Sequence, residues 1–481
     1  MRTDTPRRIL SLVLIAGNIL IWCIPGNILN LVAEERAVLL GRYSLEHLST
    51  GLLVFTLSIL ITYVFWTRDP LKRKVRLFQI VTSLFGVVIG LILLNIVLLL
   101  AGEPTYYVHG NLVHIGNANT AGQFVLHRPP NQNFRVTFED VPRPSLMGSS
   151  VPRGYEDVEC ILTFDAEGFR NKDVPDQVDV ITLGDSFTEG SRVSDEQAWP
   201  VLFSKISGLS VRNLAVSGYA PVDYLAAFKE FGLKRNPKLV YCMLYESNDF
   251  RMPKPRGTKS RQRWYEPIKR TPVIRRIRSS IIQTFEPISA GNLLDGLETL
   301  SWLPAAFPSD GAVKHYWLDP KDFTNLYVTE EEFRNRKQWQ AVKGILEDLN
   351  TVVIESGASL VVLYAPDKSH VVFPPIASEL PAENIRDFCQ LRSRDDLPPP
   401  NKFITEMLER INSKESVVRK WAQEQSIPFL ALTAPLRQAA AEARQVYYTY
   451  DKHWTPSGQQ VAADAVHKFW REEIEPHILT Q

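Results

Sequence analysis

Four short blocks of this sequence carry residue types that could do chemistry. Gly184-Asp185-Ser186-Phe187-Thr188-Glu189-Gly190 follows an apolar run, and Ser186 directly after such a run can present its hydroxyl to a ligand. The same serine could equally serve as the N-cap of a following helix. Asn213-Leu214-Ala215-Val216-Ser217-Gly218-Tyr219 and Tyr245-Glu246-Ser247-Asn248-Asp249 end two further runs, one with a glycine and one with a carboxamide. Near the end stands Tyr450-Asp451-Lys452-His453-Trp454-Thr455-Pro456. A lone histidine is more often a satisfied structural residue than a base. His453 gains weight because it follows an aspartate by two positions and precedes Thr455-Pro456, a helix start with proline at its first position.

These blocks need a scaffold that brings them together. Val178–Leu183, Val211–Val216, Leu239–Tyr245, Leu360–Ala365 and Pro428–Leu432 are short apolar or β-branched runs. Helical patterns separate them at about 197–207, 221–233, 330–355, 403–424 and 456–471. Strands alternating with helices predict an α/β domain built on a parallel five-stranded sheet covered on both faces, with its working residues at the strands' carboxyl ends. Residues 103–175 read as an extended, turn-rich lead-in, and residues 250–330 interrupt the alternation after the third strand.

Taken together and in this order, the blocks at Ser186, Gly218, Asn248-Asp249 and Asp451/His453 resemble those of the SGNH (GDSL-like) hydrolase superfamily, over about residues 160–475. The Asp-x-His-Trp form is also similar, locally, to the branch of alginate-type O-acetylation proteins. The resemblance implies a flavodoxin-like fold and acyl transfer. Ser186 would be the nucleophile, His453 the base and Asp451 its orienting partner, with Ser186, Gly218 and Asn248 donating to the oxyanion. Asp185 reads as a turn-shaping residue. Two positions depart from the family pattern: Glu246 stands where glycine is usual, and Asp451 lies two rather than three positions before His453. Lys368 and Trp454 are further candidates for substrate contact. The resemblance calls for no cofactor, and no metal-ligand spacing occurs.

The net charge of the 481 residues is +1, with 45% hydrophobic and 22% charged residues, which excludes a disordered chain and gives no basic excess for nucleic acid. That average hides segregation. Residues 9–24 and 51–66 are uncharged apolar runs, and Leu77 to Gly102 hold no charge at all, so three transmembrane helices are expected in residues 1–102. Basic residues cluster at Arg2, Arg7 and Arg8 and between Arg68 and Arg76, which predicts those ends inside and everything after residue 102 outside the cytoplasm. The expected organisation is a membrane anchor over 1–102, a lead-in over 103–175 and a hydrolase-like domain over 176–481, integral to the plasma or inner membrane. Residues 250–280 carry eleven Lys/Arg against Glu266 alone. Arg261, Arg263 and Trp264 there could clamp an anionic glycan or lipid head groups, or simply form a solvated basic loop. Cys160, Cys242 and Cys389 allow at most one disulfide and read as small buried hydrophobes.

The functional expectation is therefore an extracytoplasmic serine esterase or O-acyltransferase acting on O-acyl, first of all acetyl, esters of a surface glycan. A transferase would take its acyl group from a separate membrane protein. The alternatives are a lipase- or lysophospholipase-like esterase and a non-catalytic scaffold of a glycan-modification complex.

Overall fold

The computed structural model describes residues 5–23, 37–39, 43–67, 69–100, 128, 130–140, 154–172, 175–251, 302–306, 313–390, 393, 396–442 and 444–478. The chain divides into two compact units, the first taking in Met1–Thr105 and the second holding most of the residues from Tyr106 onward. The expected clamp residues Arg261, Arg263 and Trp264 lie outside the described residues.

In the first unit, Thr5–Cys23, Leu45–Phe65 and Pro70–Leu100 are helices, α1 to α3. The Asn18 carboxamide of α1 donates to the Ser58 hydroxyl of α2 at 2.9 Å, a polar tie between two apolar surfaces. Only one of the three expected spans meets the requirement for crossing a bilayer: among the described residues it is Pro70–Leu94. The apolar parts of the other two, Leu10–Leu20 and Thr50–Phe65, are shorter than the roughly 20 residues a hydrocarbon core demands.

In the second unit, five parallel strands form the central sheet: β1 (Val180–Leu183), β2 (Val211–Asn213), β3 (Leu239–Tyr245), β4 (Ser359–Ala365) and β5 (Phe429–Ala431). Their spatial order is β5-β4-β3-β1-β2, so the chain reverses its direction of travel across the sheet beside β1. All seven residues of β3 are buried, as a strand covered on both faces requires. Leu239, Tyr241, Met243 and Tyr245 pack to one side with helices 199–207, 368–376 and 456–469. Val240, Cys242 and Leu244 pack to the other with helices 221–227, 337–355 and 413–424. Each sequence-predicted strand of this domain is present within a few residues, whereas the helical stretches expected at 330–355 and 403–424 are each divided in two, as Glu330–Arg334 with Lys337–Glu355 and Pro400–Arg410 with Ser413–Glu424. Cys160, Cys242 and Cys389 are free and buried.

The lead-in is more structured than the sequence suggests. Gln132–Phe138 and Val158–Phe164 pair antiparallel into a ribbon, in register from Gln132 opposite Phe164 to Phe138 opposite Val158. Its alternation is strict: Phe134, Val136, Phe138, Val158, Cys160, Leu162 and Phe164 are buried on one face. On the other face Arg135 and Glu159 form an exposed ion pair. This period-two pattern was present in the residues but divided between two runs with residues 139–157 between them. A second antiparallel ribbon, Trp302–Ala306 with Val313–Trp317, lies within the interruption after β3.

Candidate active site

The turn after β1 is built by Asp185, whose carboxylate caps the short helix Ser186–Glu189 by accepting from the Phe187 N–H at 3.0 Å. This cap leaves the Ser186 hydroxyl at the mouth of the turn, where His453 Nε2 lies 2.8 Å away. Of the two readings of Ser186, the capping role belongs to its neighbour. His453 Nδ1 in turn meets Asp451 Oδ1 at 2.5 Å, and the same oxygen accepts the His453 backbone N–H at 2.8 Å. The two-residue spacing therefore still lets the carboxylate reach the ring, because the chain folds back on itself between them.

Asp451 is buried. Burial alone would raise its pKa, but the neighbouring His453 and then the Arg192 guanidinium hold it well below the usual carboxylate range. Arg192 Nε lies 3.3 Å from Asp451 Oδ2, and its guanidinium covers the Phe138 ring at 4.9 Å. The backbone of Arg192 is left-handed, with φ of 69°, and its carbonyl accepts the Tyr448 hydroxyl at 2.6 Å. Asp140, at the end of the ribbon, accepts backbone N–H groups from Thr449 (2.7 Å), Tyr450 (3.0 Å) and Asp451 (3.0 Å). The loop that carries the acid is thus pinned by residues of the lead-in.

The other two blocks converge on the same place. Asn248 Nδ2 donates to Asp185 Oδ2 at 2.7 Å, which fixes the carboxamide beside Ser186. Gly218 takes φ of 85°, a left-handed conformation that side chains disfavour, so glycine is required there by the backbone. Glu189 joins the first block to the second. It is held by Arg128 through two bonds of 2.9 and 3.0 Å, and it accepts the Ser217 N–H at 2.8 Å. Burial works against its charge, yet Arg128 keeps Glu189 below its ordinary pKa. Ser186, Gly218, Asn248 and His453 all line one cavity of about 460 Å³. The ribbon's Val136, Phe138, Cys160, Leu162 and Phe164 line it too. Burial pushes the Cys160 thiol up to about 11, which favours its protonated form at neutral pH.

Two candidates for substrate contact sit elsewhere. Lys368 is buried and donates to the carbonyls of Trp317, Tyr448 and Thr449, so its ammonium supports the loops behind the site. Trp454 is fully buried and packs edge-on against Phe187 at 4.9 Å, outside the cavity wall. Glu246, in the position where glycine is usual, accepts from the Tyr364 hydroxyl (2.8 Å) and the Asp367 N–H (2.8 Å) and pairs with His370 (2.9 Å). It braces the end of β3 against the end of β4. Arg128, Asp140, Glu189 and Arg192 escaped the sequence reading because each is an ordinary charged residue until the ribbon folds. Among the described residues, no group of three or more His, Cys, Asp or Glu could hold a metal ion.

Residues 403–481 match the family model for the SGNH hydrolase-like domain of the acetyltransferase AlgX. That segment is SGNH hydrolase-like. It carries Asp451 and His453 together with β5, the edge strand of the parallel five-stranded sheet. Three solved structures similar to this chain are remote from it in sequence. An extracellular lipase from Streptomyces rimosus shares 13% identity over 60% of this chain and 98% of its own, with a TM-score of 0.32. A phospholipase A1 from Streptomyces albidoflavus shares 14% over 60% and 98%, also at 0.32. The acetyl xylan esterase AlAXEase shares 11% over 60% and 98%, at 0.29. Among curated proteins there is no match.

Proposed function

We propose that this protein is a membrane-anchored serine acyl hydrolase or acyltransferase that works on O-acyl esters outside the cytoplasm. The observation that carries the reading is the continuous chain of hydrogen bonds from Ser186 through His453 to Asp451, at 2.8 and 2.5 Å. Ser186 Oγ attacks the ester carbonyl while His453 takes its proton, and Asp451 stabilises the imidazolium that results. The developing oxyanion is met by the N–H groups of Ser186 and Gly218 and by the Asn248 carboxamide. Collapse breaks the bond to the alcohol, which receives the proton from His453 and leaves an acyl-Ser186. Water or an acceptor hydroxyl then gives its proton to His453 and takes the acyl group.

The match to the domain of the acetyltransferase AlgX supports acyl transfer beside hydrolysis, and a surface glycan is the acyl carrier or acceptor in this reading. In the same reading Pro70–Leu94 is the span that anchors the chain. The basic residues at the N-terminus and between α2 and α3 would then face the cytoplasm, with the site on the far side. The +10 segment 250–280 would bind anionic glycan or head groups near that surface.

The test is turnover of p-nitrophenyl esters by the full-length protein in detergent, with and without oligosaccharide acceptors. Wild type should be labelled at Ser186 by a fluorophosphonate, and Ser186→Ala should lose on the order of 10⁴-fold or more in kcat. Acylated sugar as product supports transfer, and free acid alone supports hydrolysis. Undiminished turnover by Ser186→Ala would overturn the reading.

A further inference from the structure

We propose that the ribbon is the acyl-binding wall of the site, and that it selects acyl chains of about four to eight carbons over acetyl. The inference rests on the serine-acyl reading above and deepens it. It departs from the acetyl preference that the sequence suggests.

The cavity at Ser186 has two unlike sides. One is polar: Ser186, Ser191, Ser217, Gly218, Asn248 and His453, joined by the charged Arg128, Arg170, Glu189, Arg192 and Lys452. The other is a continuous apolar surface of Val136, Phe138, Cys160, Leu162 and Phe164, every one from the same face of the ribbon. An ester with only a methyl on its carbonyl would touch little of the part of this wall that faces the cavity. The wall is also held firmly. Phe134 and Phe164 meet edge to face at 5.9 Å, Phe138 and Tyr448 at 4.8 Å, and the Ile161 N–H binds the Ser194 hydroxyl at 3.0 Å. A fixed apolar wall beside a nucleophile is what an alkyl chain can use, because each buried methylene gains about 0.8 kcal/mol. The end of that wall meets the catalytic groups directly, since Phe138 lies under Arg192 and Arg192 holds Asp451. The polar side remains for the alcohol part of the ester, so the two halves of the substrate are sorted by chemistry.

The experiment compares p-nitrophenyl acetate, butyrate, hexanoate and octanoate with the full-length protein in detergent micelles. In wild type, kcat/KM should rise about fourfold for each methylene seated on the wall, which is 0.8 kcal/mol converted at 25 °C. Leu162→Trp, which fills the cavity, should lower the hexanoate-to-acetate ratio at least tenfold. Val136→Phe is the second variant and should act in the same direction; thermal melts identify any that fail to fold. Because each variant's ratio is compared with the wild-type ratio in the same micelles, partition of the esters into detergent cancels. If wild type is labelled by fluorophosphonate at Ser186 but turns over acetate best, or if both folded variants leave the ratio unchanged, the acyl-wall assignment is wrong and the serine mechanism stands. If Ser186 is neither labelled nor required for turnover, the serine reading itself is overturned.

Discussion

Asp140 offers the sharpest test of how the site is held together. Its two carboxylate oxygens accept four backbone N–H groups: Oδ1 takes those of Tyr450 and Asp451, and Oδ2 those of Tyr155 and Thr449. Asp140→Asn keeps the shape but turns one oxygen into an NH₂ group. Whichever way the amide flips, two N–H donors then face another donor. Each buried group left unsatisfied costs about 1–3 kcal/mol, so the substitution strains the loop by about 2–6 kcal/mol. The loop can relieve this only by moving, and it carries Asp451. A displacement of about 1 Å in such a catalytic array costs about 10²-fold in rate. The expected result for Asp140→Asn is therefore a loss of at least about 10² in kcat on p-nitrophenyl butyrate, together with a lowered Tm. The deciding measurement is the cycle with Asp451→Ala. If Asp140 acts on the rate through Asp451, Asp140→Asn in the Asp451→Ala background lowers Tm as before and leaves kcat unchanged. Asp140→Asn within threefold of wild-type kcat at full folding would refute the reasoning. So would full additivity of the two rate losses.

Three further outcomes are expected from the same geometry. Asn248→Ala removes one oxyanion donor and should cut kcat by about 10²–10³-fold with little change in KM; a loss under threefold would take Asn248 out of that role. Glu189→Gln removes the carboxylate that pairs with the buried Arg128, at a cost of about 3–5 kcal/mol, and a Tm equal to wild type in a melting scan would contradict the Arg128–Glu189 bridge. Glu246 and His370 give a pH signature. The Glu246 carboxylate raises the buried His370 above its ordinary value, although burial opposes this, so the pair's contribution to stability is complete below about pH 6.5 and fades as pH rises through the raised value. Tm measured from pH 6 to pH 9 should fall in wild type more than in His370→Asn, and parallel slopes would speak against the pair.

The central sheet was legible because each strand is a short apolar run and each crossover has helical spacing, so local pattern and tertiary burial agree. The three strand-end blocks and His453 were legible for a related reason: they occur where such a sheet must present side chains. The lead-in was not. Its two strands, Gln132–Phe138 and Val158–Phe164, are separated in sequence, and their alternation has meaning only once they pair. Lys368 and Trp454 misled because residue type and position say nothing of direction; the first turns back onto three carbonyls and the second into the core. Arg192 and Asp140 carry no motif at all. Their roles arise from contacts more than 250 positions away along the chain.

Those long separations have a consequence for how the enzyme comes into being. The bond from Asp140 to the Asp451 N–H spans 311 positions, so it forms only after nearly the whole polypeptide has been made. Closing such a loop costs about 2 kcal/mol more than closing one of some 30 residues, a penalty the sheet removes by folding first and bringing the ends together. During synthesis the ribbon segment and Ser186 emerge early, while the histidine and its acid arrive last. A chain interrupted between residues 186 and 451 would hold Ser186 without His453 and a ribbon with no loop to grip. Under the proposed function, competence for acyl chemistry is thus the final event of assembly, and truncated products would be born inert.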